Sequence, residues 1–224
     1  MLFRSNTQWQ LDAGNFYDKM ARRFDEALVL YRRALRYAQA NEGPQSLRAA
    51  QAHNNIAYAL SRLNRNKEAL PEQRLAAEMY AHLYGTQHEL TAARWTNLGV
   101  IHYYLGHVDS AQVYFDRAEK VYTALGSAPK LHAQLLNNQA AIDVAKGEVE
   151  TAYTRLKKAL EIVPAEEKQD RVQLLQSMGA VCRISKRHDE SQRYYQEALD
   201  QAILLYGEDH PTTIELRKSL FSEP

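Results

Sequence analysis

The sequence holds one cysteine, Cys182, so no internal disulfide can form. No run approaches the ~18 consecutive apolar residues that a membrane-spanning helix needs, and the first residues carry no charged start followed by an apolar signal core. A surplus of either charge is lacking too. Lys and Arg number 28 against 27 Asp and Glu, a formal net charge of +1, which leaves no overall field to hold nucleic acid or an anionic bilayer. Common catalytic signatures are missing as well: there is no H-E-x-x-H, no serine elbow and no glycine-rich phosphate loop. These absences exclude a disulfide scaffold and a membrane span. They predict a cytoplasmic protein of a reducing compartment, with no enzyme activity, no metal and no cofactor.

What is present is a repeat. With 45% hydrophobic residues in 224, the chain can bury a substantial core, and its apolar residues recur at a long fixed period. The segments DEALVLYRRAL (25–35), KEALPEQRLAA (67–77), DSAQVYFDRAE (109–119), ETAYTRLKKAL (150–160) and DESQRYYQEAL (189–199) each set an acidic residue before a small one, with Ala seven residues later. The small residues Ala27, Ala69, Ala111, Ala152 and Ser191 are spaced 42, 42, 41 and 39 apart. Twelve residues before each of the last four stands another small residue: Ala57, Gly99, Ala140 and Gly179. Small residues at fixed places in paired helical patterns mark where two helices approach closely, so each unit reads as a helical hairpin.

The predicted helices cover about 7–20, 23–40, 46–63, 67–84, 90–105, 108–125, 130–146, 149–163, 168–186, 189–206 and 211–221. Gly43, Gly85, Gly126 and Gly207 fall where a left-handed cap would end each second helix, and Gly106 and Gly147 fall in the turn within a hairpin. The first unit is the least regular, since Gly14 and Tyr17 fit only with one residue inserted before Phe24. No strand and no domain linker is predicted. The fold class expected is all-α, a right-handed α-α superhelical solenoid of about five hairpins plus a C-terminal capping helix, forming one domain over residues 6–224. Residues 1–5 stand outside it. Leu2-Phe3-Arg4-Ser5 is what the end of a widely used sequencing adapter encodes, and residues 1–5 are read as non-native, with the natural protein extending upstream.

The segment WTNLGVIHYYLGHVDSAQVYFDRA (95–118) resembles the tetratricopeptide repeat (TPR), with Trp95, Leu98, Gly99, Gly106, Ala111, Phe115 and Ala118 at signature positions. Pro164 stands where that pattern has its closing proline. Units of 39 to 42 residues exceed the usual ~34 and point to the longer, kinesin-light-chain-like branch. That branch also shows G-x-x-H-P-x-T between repeats, and YGEDHPTT (206–213) is similar to it, with YGTQHELT (84–91) a weaker copy. The resemblance implies a scaffold for protein–protein interaction.

The repeat also accounts for residues that could be taken for chemistry. LGVIHYYLGHVDSA (98–111) packs two histidines and two tyrosines into a short span, yet His102 falls in the slot facing the partner helix and His107 in the turn, with no ligand-spaced neighbours. Cys182 takes the slot of His102 in a later unit, the place of a buried thiol. Arginines 22, 23, 32, 33, 36 and 48 make the first unit basic and are read as a solvated helix face rather than a nucleic-acid footprint.

One recurrence bears on binding. HNNIA (53–57), WTNLG (95–99) and LLNNQ (135–139) set Asn55, Asn97 and Asn138 in register, with Asn54 and Asn137 beside two of them. First helices of such hairpins line a concave face, so these amides would form a ladder. An amide both donates and accepts, and so it can hold an extended peptide backbone without reading its sequence. The same asparagines would equally serve to bridge adjacent repeats, and both readings stand. The predicted groove residues are Asn54, Asn55, Tyr58, Arg62, Asn97, Tyr103, Asn137, Asn138, Gln176 and Arg183, with Gln51, Thr96, Val100, Gln134, Ala141 and Gln173 as neighbours. Few of them are charged, unlike the basic clamps that hold a terminal carboxylate. The predicted function is a non-catalytic scaffold that binds an extended protein or peptide segment, with no nucleic-acid or membrane partner; the oligomeric state is left open. The alternative is the sensory or oligomerisation part of a larger signalling protein, such as a peptide-responsive regulator or a repeat-bearing ATPase.

Overall fold

A computed structural model of the chain describes residues 6–19 and 23–221. Among them are eleven α-helices and no strand: α1 (Asn6–Lys19), α2 (Phe24–Asn41), α3 (Leu47–Arg62), α4 (Asn66–Tyr84), α5 (Glu89–Tyr104), α6 (Val108–Leu125), α7 (Pro129–Ala145), α8 (Val149–Ile162), α9 (Lys168–Ile184), α10 (His188–Tyr206) and α11 (Pro211–Phe221). Each lies within a few residues of the helix that the repeat pattern predicts. The reading of residues 1–5 as non-native falls outside the described residues. The helices divide into two compact units, with the division after Val121.

In the first unit the hairpins are α1 with α2, α3 with α4, and α5 with the start of α6. Leu11, Leu28, Tyr31, Ile56, Leu60 and Ile101 interlock in its core around the small residues Ala27, Ala57 and Ala69. In the second unit, α7 with α8 and α9 with α10 bury Leu136, Leu156, Leu174 and Met178 around Ala140 and Ala152. Leu216 of α11 joins Val172, Leu175 and Leu199 in the same unit.

The glycines of the first helices explain how closely the hairpins shut. A Cβ on Gly99 would lie 2.3 Å from the Phe115 ring, one on Gly14 2.4 Å from Tyr31, and one on Gly179 2.9 Å from Tyr195. Such a ring can be received only where the facing helix has no side chain. Where alanine takes the small position, the facing residue is not a ring: Ala140 is followed sixteen residues later by Leu156, and Ala57 by Gln73.

In the four hairpins whose turns are described, the chain reverses through one residue of positive φ, seven after the small residue. Gly106 and Gly147 take it at 78° and 81°, whereas Asn64 and Lys186 are held there at 59°, at a cost that only glycine escapes. Two of the links between hairpins differ from the left-handed caps expected. Gly85 (φ 86, ψ 166) and Gly207 (φ 90, ψ 169) have the extended backbone of positive φ, a region essentially closed to other residues. The motif around each is then intelligible. Thr91 Oγ1 donates to the Gly85 carbonyl at 2.8 Å and Thr213 Oγ1 to the Gly207 carbonyl at 2.8 Å. His88 Nδ1 accepts from the Leu90 amide and His210 Nδ1 from the Thr212 amide, capping the helix that follows. Tyr84 and Tyr206 pack on those histidines, with ring centroids 4.9 and 4.4 Å apart. The shared Tyr-Gly-x-x-His segments are therefore joints that start a new first helix.

Candidate functional site

On α5, Asn97, Val100, Ile101 and Tyr104 follow one another at three- and four-residue steps and so share one face. Opposite them α3 presents Ala57, Tyr58, Ser61 and Arg62, again at helical spacing. With Asn64, Asn66 and Gln73 they enclose a cavity of about 440 Å³. Its floor follows from the rule of small residue and ring. At the place where other hairpins set Tyr31, Phe115 or Tyr195, this one has Gln73, so no ring fills the space between α3, α4 and α5. Gln73 is 1% exposed and its Nε2 donates to the Arg94 carbonyl at 3.3 Å.

A second cavity, of about 500 Å³, lies beside the first and shares Tyr58 with it; its walls include Asn15 of α1 and Gln51, Asn54 and Asn55 of α3. A row of amides runs along the two cavities. Asn97 Nδ2 donates to Asn54 Oδ1 at 3.1 Å, Asn54 Nδ2 to Asn55 Oδ1 at 3.1 Å, and Asn55 Nδ2 to Asn15 Oδ1 at 3.4 Å. Asn15 Oδ1 also accepts from the Tyr31 hydroxyl at 2.9 Å. In this unit, then, the predicted asparagines do tie successive first helices together. The ties use part of each amide: Asn97 commits one N–H and keeps its carbonyl oxygen. Arg62, at the mouth of the first cavity, lies over the Phe24 ring at 5.3 Å, and no Asp or Glu lines either cavity among the described residues.

In the second unit the predicted residues are engaged differently. Gln134 donates to Asp170 at 2.6 Å, Gln176 to Glu215 at 3.3 Å, and Arg183 to the Ser219 carbonyl at 2.6 Å while lying over Tyr195. These too join one first helix to the next. Asn137 Oδ1 is buried with no hydrogen-bond partner. It stands where Asn54 stands in the first unit, but the residue in the place of Asn97 is Ser177, whose side chain is shorter.

The repeat pattern, the helix pairs and the small-residue contacts converge with a direct sequence match. The tetratricopeptide-repeat family profile matches residues 50–124 and 170–220, more than half of the chain. The chain belongs to the tetratricopeptide repeat family. Among curated proteins none matches it significantly. Among solved structures, the Rap conjugation gene regulator of the plasmid pLS20, in complex with the Phr* peptide, superimposes with a TM-score of 0.83 at 17% identity, covering 98% of this chain and 59% of the regulator. A thermophilic TPR protein of Thermus thermophilus gives a TM-score of 0.71 at 20% identity, covering 96% of this chain and 100% of that one. The nearly identical TPR-like repeats of a Podosopora anserina kinesin light chain give 0.68 at 14% identity, covering 92% and 98%. At these identities the likeness is one of fold.

Several groove expectations for this TPR chain need correction in detail. Thr96 is buried and its hydroxyl donates back to the Ala92 carbonyl at 3.1 Å, so it does not face the groove. Tyr104, not Tyr103, lines the cavity, because the stripe that holds Asn97 and Val100 continues through residue 104. Asn15, Asn64, Asn66 and Gln73 were not among the residues singled out. Of these, only Gln73 carries a signal in the repeat pattern, as a polar residue where other units set a ring or Leu156.

The histidine-rich stretch is packing. His102 is 7% exposed, stacks on Tyr114 with centroids 5.4 Å apart, and has its pKa lowered by burial and by neighbouring His107. Cys182 is buried, and burial pushes its thiol up to about 11. Among the described residues there is no group of three His, Cys, Asp or Glu side chains able to hold a metal ion, and no helix long and apolar enough to cross a membrane.

Proposed function

We propose that this TPR protein is a non-catalytic interaction module whose first unit holds an extended segment of a partner protein along Asn15, Asn55, Asn54 and Asn97. The observation that carries the reading is the row of half-committed amides beside two cavities that meet at Tyr58. The ties between repeats fix the orientation of each amide in advance, which lowers the ordering cost of binding. The capacity left over matches the alternating donors and acceptors of a peptide backbone. Asn137, Asn138, Gln176 and Arg183 are proposed as contact residues of the second unit.

Selection from a library of random linear peptides, followed by calorimetry on a selected peptide, tests this. Replacing Asn55 and Asn97 together with Ala removes hydrogen bonds of ~0.5–1.5 kcal/mol each, so affinity should fall roughly 5- to 150-fold. Unchanged affinity in a folded double variant would confine the asparagines to bridging repeats.

A second reading is favoured by the likeness to the Rap regulator, of which the match spans 59%: the chain is the sensory part of a longer peptide-responsive protein. A coding sequence that continues in frame into a DNA-binding or nucleotide-binding domain would support it.

A further inference from the structure

We infer that the cavity between α3, α4 and α5 is a recognition pocket for a carboxamide side chain, Asn or Gln, of the bound segment. This rests on the groove reading above and adds a sequence preference to it.

The cavity has Gln73 where three other hairpins set a ring, and its wall combines the apolar side chains of Val100 and Ile101 with neutral hydrogen-bonding groups. Gln73 is 1% exposed and Asn66 7%. Ser61 Oγ donates to Asn66 Oδ1 at 2.7 Å, and Asn66 Nδ2 reaches Asn64 Oδ1 at 3.4 Å. Asn97 closes the wall on the side of α5. These groups present both donors and acceptors within one space of about 440 Å³.

Each class of incoming side chain meets a different fate there. An aliphatic one would pack on Val100 and Ile101 but would strip water from the hydrogen-bonding capacity that the amides still hold and return nothing for it. A lysine or arginine would lose its own hydration with no carboxylate among the lining residues and with Arg62 at the mouth. A carboxylate would be drawn to Arg62, which is exposed at the rim, and so would stay outside the polar interior. A carboxamide is neutral, with two N–H groups and an acceptor oxygen. It can therefore replace the water on both kinds of wall group without burying charge. Sites of this kind discriminate strongly, because an analogue without the hydrogen-bonding group leaves the wall unpaired.

The fold supplies its own control. Ala57→Gly with Gln73→Phe recreates the pairing of Gly99 with Phe115 in the neighbouring hairpin and fills the cavity with a ring. A library of random linear peptides is selected on the wild-type protein, and each enriched peptide is re-made with its carboxamide residue changed to Leu or Lys. The expected result is Asn or Gln at one fixed position, with binding at least about tenfold weaker after either change. The filled variant should bind the parent and the Leu peptide alike. Calorimetry of the re-made peptides on wild-type protein decides the matter even if the filled variant fails to fold. Enriched peptides with no shared carboxamide, equal binding of the Leu peptide, or a shared Asp or Glu lost with Arg62→Ala would each overturn the pocket and leave the groove standing. If the wild-type protein enriches no peptide, both readings fall.

Discussion

Replacing Gly99 with alanine adds one methyl group at the closest approach in the first unit. Its carbon would lie 2.3 and 2.4 Å from two ring atoms of Phe115 and 3.0 Å from a third, where ordinary contact is about 3.4–4 Å. The ring is 1% exposed, so it cannot swing into solvent, and α5 and α6 must move apart or the ring leave its rotamer. Overpacking of this kind costs ~1–3 kcal/mol, while alanine in place of glycine inside a helix returns ~0.5–1 kcal/mol. Contacts this short put the overpacking in the upper part of that range, so a net loss of about 1–2.5 kcal/mol follows, lowering the melting temperature by ~2–10 °C for a chain of this size.

The partner change provides the sharper measurement. Phe115→Leu alone should cost ~1–2 kcal/mol from lost packing, yet together with Gly99→Ala it reproduces the Ala140 and Leu156 pair of the second unit. The cost of the double variant should therefore fall short of the sum of the two single costs by about 1–3 kcal/mol, as expected of side chains in contact. Urea unfolding of the four proteins of the cycle, followed by Trp95 fluorescence in the same helix and by circular dichroism, measures this. Additivity within ~0.3–0.5 kcal/mol would refute the claim that glycine is there to receive the ring.

Lys186→Gly should raise stability by about 1 kcal/mol, since Lys186 is held at φ 59 and a left-handed residue with a side chain costs ~1–2 kcal/mol; the denaturation midpoint reports it, and Asn64→Gly should gain less. Ser177→Asn should stabilise the second unit by ~1 kcal/mol by giving the orphaned Asn137 oxygen a donor, read from the same curves. Burial lowers the His102 pKa below its ordinary 6.5, so the unfolded chain takes up that proton first, and stability is full above about 6.5 and lost as pH falls from there toward the folded value. In His102→Leu, which copies Leu60 at the matching place in α3, the drop in melting temperature between neutral and mildly acid pH should shrink; an equal drop would remove His102 from that account. Cys182, buried with its thiol at about 11, should resist alkylation in native buffer at mildly alkaline pH and react once urea unfolds the protein.

The helices, their pairing into hairpins and the family are written in the chain locally. Apolar and small residues recur at a nearly fixed period, and each hairpin closes through residues twelve to seventeen apart, a distance that helix geometry turns directly into contact. Even the choice of Gly against Ala is legible, because the ring that requires it stands sixteen or seventeen residues downstream. The ladder of asparagines was legible as a register but not as bonds. Whether Asn97 reaches Asn54, and whether Ser177 fails to reach Asn137, turns on side-chain length across a gap between first helices some forty residues apart, which periodicity does not measure. Asn15 was hidden by the inserted residue of the first unit, and the backbone of Gly85 and Gly207 by the resemblance of any helix-ending glycine to a left-handed cap. The cavity belongs to the tertiary structure alone. Gln73 reads in sequence as one polar residue on a helix, and it becomes the floor of a pocket only once α3, α4 and α5 surround the volume that a missing ring leaves empty.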